Sequence, residues 1–124
     1  MPDSEKTDAA SRRFRALAVT AAKAADSKKG EDLLLLNIHR FTSLTDYLLL
    51  VSADSAPHIK ALQDHVEEVL EEKGVVPVHR DGRESGTWRV LDYGGLMIHF
   101  LNPETRRLFA LERLFHGARK IAVP

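Results

Sequence analysis

The sequence predicts a single α/β (α+β) domain: a five-stranded mixed sheet flanked by helices, in the order α-β-β-α-β-β-β-α. Three observations carry that prediction. Leu33 to Ile38 and Tyr47 to Ser52 are short runs, nearly all apolar, as strands covered on both faces are. Stretches with helical apolar spacing stand before, between and after the strand-like runs. Gly94-Gly95 separates two further strand-like runs, a hairpin signal because glycine supplies positive φ at low cost. Strands and helices in this order assemble as a sheet with helices on its faces.

Met1 to Ala10 is polar and charged and is expected to be a disordered tail, 1-10. The domain then spans 11-116, and 117-124 is a C-terminal tail. From Ser11 to Ala25, Phe14, Leu17, Ala18, Ala21 and Ala25 form a helical stripe with small residues, suited to close packing on a sheet. Between the two apolar runs, Thr45 and Asp46 are read as hydrogen-bonding local backbone. Asp54 or Ser55 caps a long helix with the stripe Ile59, Leu62, Val66, Val69 and Leu70, and Gly74 fits its C′ position. Glu67, Glu68, Glu71 and Glu72 read as its solvated face. Val75 to His79 is expected as the third strand, after a crossover of the parallel type.

The last third of the chain holds the fourth strand, Trp88 to Asp92, and the fifth, Leu96 to Leu101. Alternation puts Met97, His99 and Leu101 on one face of the fifth. Asn102-Pro103 starts a helix read as continuous to Phe115, with Leu108, Leu111 and Phe115 as its apolar stripe and Leu114 beside it. Phe109 falls about 100° off that stripe, with Arg106 and Arg113 on its side. An aromatic between two arginines has the composition of an interface patch, or else packs on a neighbouring strand with the arginines solvated.

Composition narrows the function. Formal net charge is +0 and the chain has no Cys. The first argues against a general electrostatic grip on nucleic acid, and the second excludes disulfides and thiolate chemistry. No apolar run nears the ~20 residues of a membrane span, and the N-terminus lacks an apolar signal core, so a soluble cytoplasmic protein is expected. The six histidines form no HxH or HExxH, and neither a GxSxG nor a phosphate-loop pattern occurs. His58 and His65, seven apart on one helix, could share a side. No catalytic residue, metal ligand or cofactor is assigned. His99 amid apolar residues is read as hydrogen-bonded structure, with Asp92 as its simplest partner. Trp88 is either an exposed anchor or a core filler.

These residues, in order, resemble the ribosomal silencing factor family of the RsfS/Iojap type, from about Phe14 to Phe115. The pieces are Ser43-Leu44-Thr45-Asp46-Tyr47, Ser55, Gly74 with Pro77, Asp81-Gly82, Trp88, Asp92-Tyr93-Gly94, His99, and Glu104 to Phe115. The family usually has Gly, an Arg-like residue, an acid, Tyr and Trp where this chain has Ala53, Pro57, Gly95, Phe109 and Phe115. The resemblance implies a non-enzymatic protein that binds the large ribosomal subunit through its universal protein fourteen, with some contact to ribosomal RNA. It would block joining of the small subunit, repress translation when nutrients are short and aid large-subunit maturation. It would be a homodimer when free. Trp88, Asp92, Met97, His99, Arg106, Phe109, Glu112 and Arg113 are the expected partner-binding residues. The strand order also resembles that of nucleotidyltransferases, the enzymatic alternative. Those enzymes need an Asp-x-Asp pair on one strand, and here Asp92 stands alone.

Overall fold

The computed structural model describes residues 2–123, with side chains from Ala9 onward. In chain order the elements are α1 (Pro2–Ser27), β1 (Glu31–Asn37), β2 (Tyr47–Ser52), α2 (Ala56–Glu72), β3 (His79–Asp81), β4 (Trp88–Asp92), β5 (Leu96–Leu101), α3 (Pro103–Phe109), α4 (Leu111–Leu114) and β6 (Arg119–Lys120). The strands form one mixed sheet in the order β3-β4-β5-β2-β1-β6. The only parallel pairing among the described residues is β2 with β5.

Every residue of β2 is buried. Its alternate side chains therefore serve two cores. Tyr47, Leu49 and Val51 point to one face with Leu35, Leu91, Leu96, Ile98 and Phe100, and that face is covered by α1 and α2. Leu48 and Leu50 point to the other with Leu36, under the short α3–α4 segment. Burying one leucine fully is worth about 1.5–3 kcal/mol, so β2 stabilises both layers at once. The small side chains of α1, Ala18, Ala21, Ala22 and Ala25, are wholly buried and let it lie close to the sheet and α2.

Local signals fix several boundaries. Ser55 is the N-cap of α2, its Oγ accepting from the His58 amide. Gly74 takes φ 82 just past the helix end. Between β4 and β5, Gly94 takes φ 89 and the Tyr93 amide donates to the Leu96 carbonyl at 2.8 Å, across the two-residue connection Gly94-Gly95. His58 and His65 do share a side of α2. They face the C-terminal end of α1, His58 Nε2 lying 2.8 Å from the Lys28 carbonyl and His65 Nε2 3.4 Å from Ser27 Oγ.

Four expectations are corrected. The helix runs back to Pro2, through the segment expected to be a tail; Met1 and Pro124, at the outer ends of the two expected tails, lie outside the described residues. The sheet has six strands rather than five, because Arg119 and Lys120 of the expected C-terminal tail pair with Asn37 and Leu36. The third strand is His79–Asp81, not Val75–His79. It lies at the far edge beside β4, where Arg80 makes a bidentate ion pair with Glu67 of α2. Val76 and Val78 are left exposed. Finally, the helix expected to run from Pro103 to Phe115 breaks at Ala110, which adopts φ 47, ψ 48. The stripe therefore fails at Leu108, which is 76 % exposed, while Leu111 and Phe115 do pack on the core.

Gly95 is required by contact rather than by φ. A Cβ placed there would overlap the ring of Phe14 on α1. Gly95→Ala should therefore cost about 1–3 kcal/mol in a urea melt, by displacing that ring. Ala110→Gly should instead raise stability by about 0.5–1 kcal/mol in the same measurement, since the left-handed conformation is strained for alanine.

Candidate docking surface

The β4–β5 register pairs Trp88 with Leu101, Val90 with His99 and Asp92 with Met97. Alternation puts those six side chains on one face of the sheet, opposite α1 and α2. The parallel register extends this face to Leu48, Leu50 and Ser52 of β2. Among the described residues, Leu111, Phe115 and Ala118 pack over its β1–β2 side.

Trp88 is neither a free anchor nor a core filler. It is half-buried, held from two sides. Its indole Nε1–H donates to His99 Nδ1 at 2.9 Å. Its ring lies 4.6 Å, centroid to centroid, from Phe109 at 45°. Such aromatic pairs add about 0.5–1.5 kcal/mol beyond the area they bury. The Trp88 and Thr87 amides both donate to Ser85 Oγ, which fixes the entry into β4.

His99 is 8 % exposed, and burial pushes its pKa down to about 4. It is neutral at pH 7. Because indole N–H can only donate, Nδ1 is the acceptor and the ring proton sits on Nε2. The expected His99–Asp92 pair does not form. Asp92 Oδ1 instead accepts from the Gly94 amide at 2.8 Å, within its own turn. Thr45 hydrogen-bonds local backbone as read, at the Tyr47 carbonyl, whereas Asp46 pairs with His39 Nδ1 at 2.8 Å.

Arg106 does not flank Phe109 as a solvated charge. Its side chain is 12 % exposed, with Nη1 donating to the buried Ser52 Oγ at 2.8 Å and Nε donating to Glu112. Arg106 and Glu112 thus clamp α3 and α4 to the end of β2. Arg113 is exposed on α4, and the break at Ala110 takes it off the helical wheel that joined it to Arg106. Met97 is half-buried and lines an apolar groove of about 160 Å³.

The sequence did not single out the exposed Phe41, Leu44, Leu108 and Leu114 as surface residues. Phe41 packs edge-on against Phe115, centroids 6.2 Å apart. Helical spacing puts Leu108 on the apolar stripe and Leu114 beside it, and nothing in the local composition marks the break at Ala110. Among the described residues no group of three or more His, Asp or Glu side chains could share a metal ion. No helix there is long and apolar enough to cross a membrane. The surface is suited to contact: aromatic and aliphatic at its centre, with charges engaged or at its rim.

The chain has relatives among known proteins. Residues 11–124 match the family model described as "Ribosomal silencing factor during starvation". The chain is 33 % identical over 99 residues to the ribosomal silencing factor RsfS of Chromobacterium violaceum, covering 80 % of this chain and 81 % of that protein. A mouse protein named "Mitochondrial assembly of ribosomal large subunit protein 1" is 25 % identical over 91 residues, 71 % of this chain and 40 % of the mouse protein. The crystal structure of protein CV0518 from Chromobacterium violaceum superposes with a TM-score of 0.80 at 31 % identity, covering 88 % of this chain and 90 % of that one.

The depressed His99 pKa sets a pH dependence. The unfolded chain binds this proton near pH 6.5 and the folded chain only near 4. The stability it contributes is complete above 6.5 and is lost as pH falls towards 4. Urea melts at pH 7 and pH 5 should differ by about 2 kcal/mol from this group. That increment should be missing from His99→Asn.

Proposed function

The chain belongs to the ribosomal silencing factor family, and we propose that it docks on the large ribosomal subunit through universal ribosomal protein fourteen, using the sheet face around Trp88. Bulk held there blocks joining of the small subunit and represses translation under starvation. The observation that carries this reading is the Trp88–Phe109 pair, an aromatic anchor only partly covered by its own fold within a family of ribosomal factors. The balanced net charge favours a protein partner over bare RNA, with ribosomal RNA contacted at the rim, where Arg113 is exposed. Met97, His99, Trp88 and Phe109 make the contact. Asp92, Arg106 and Glu112 support it by holding the turn and the α3–α4 clamp. The same reading has the free protein as a cytoplasmic homodimer and gives it a part in large-subunit maturation, in line with the name of the mouse relative.

Sucrose-gradient sedimentation with separated subunits, at a magnesium concentration that permits joining, tests this directly. The protein should travel with the large subunit and shrink the joined peak. Phe109→Ala, at a residue 54 % exposed, should leave the fold intact and weaken binding by about 1–2 kcal/mol. Combined with Trp88→Ala it should abolish co-sedimentation. A folded double variant that still binds would show that the surface lies elsewhere.

A further inference from the structure

Beside the Trp88 anchor lies a groove of which the docking reading uses only Met97 and His99. The 160 Å³ groove is walled by Ile38, Leu48, Met97, Leu111 and Phe115, and Leu44 and Leu114 stand at it 78 % and 69 % exposed. No charged side chain lines it. Its size suits one side chain, since a cavity of about 150 Å³ admits a benzene ring. His99 also lines it and joins it to the anchor, because the same imidazole accepts the Trp88 indole proton. That bond leaves the other nitrogen, Nε2, as a donor, and no protein acceptor among the described residues takes it. Nor is it a sealed orphan: the one fully buried side-chain polar atom without a partner among the described residues is Tyr93 Oη.

We propose that this groove is a second contact point for the large-subunit protein, receiving one aliphatic side chain while a neutral acceptor beside it, such as a backbone carbonyl, takes the His99 Nε2–H bond. The inference rests on the docking reading and names the chemistry of the segment that docks. A purely apolar insert would bury an unsatisfied donor, which is unfavourable. Phosphate would gain nothing from a groove without cations, so RNA is not the occupant. A charged side chain would be desolvated without a counter-ion. Continuity through His99 makes anchor and groove one surface.

Binding of the full-length chain to purified large subunits tests the groove. Leu44→Asp and Leu114→Asp change exposed positions, so thermal melting should be unchanged, and each should weaken binding about tenfold. His99→Asn keeps an acceptor near the Nδ1 position for Trp88 but carries no donor to the Nε2 position. It should weaken binding severalfold and leave the Trp88 emission wavelength unchanged. Aspartate variants that bind within about twofold of wild type, while Phe109→Ala loses binding, would overturn the groove and leave the docking reading standing. Aspartate variants that bind normally but dissociate the free protein, seen by sedimentation velocity, would assign the groove to a second copy of the chain and overturn the proposal. A wild-type protein that does not travel with the large subunit would overturn both readings.

Discussion

A strand can sit parallel to its neighbour only if the intervening chain crosses back over the sheet, and that requirement organises this molecule around β2 and β5. The return runs through α2, then β3 and β4 at the far edge, before β5 pairs beside β2. α2 packs with α1 on one face, and the second face is left to the chain beyond β5. Among the described residues that stretch supplies α3, α4 and a two-residue strand. One face is therefore roofed by two long helices and the other by short segments. The register between β4, β5 and β2 then decides which side chains occupy the thin side.

On that side the structure keeps its charges tied and its apolar groups presented. Arg106 is sunk against Ser52 and Glu112, where losing one partner would strand a largely buried guanidinium. His99 is neutral and serves as an acceptor for indole, so the centre of the face carries a directional bond without a charge. Trp88 is thereby oriented before any partner arrives, which lowers the ordering entropy that docking would otherwise cost.

Much of the fold was legible because burial leaves a pattern. The continuous apolar runs located β2 and β5, the stripe from Ile59 to Leu70 with Ser55 and Gly74 located α2, and Gly94 located the hairpin. β3 and β6 were not legible. Their side chains are exposed, so no hydrophobic period betrays them. The apolar Val75, Val76 and Val78 drew the third strand a few residues early. Ala110 was missed for a related reason. Neither Gly nor Pro stands there, and the left-handed turn is fixed by the Arg106 clamp and by Leu111 and Phe115 reaching the core. In the candidate site, Trp88, Met97, His99 and Phe109 were recognisable by type. Their bonds were not, since the His99–Trp88 pairing depends on a register that only the assembled sheet supplies.

Phe14 and Gly95 belong to different elements, yet the ring of one fills the space that a side chain of the other would need. A side chain at position 95 therefore requires the Phe14 ring to move or a smaller residue to stand at position 14. Recombination carries the same constraint: an N-terminal helix exchanged with a relative bearing a side chain at that turn would bring mismatched halves into one molecule. Positions 14 and 95 must therefore be compatible in volume, although four strands and α2 lie between them in the chain.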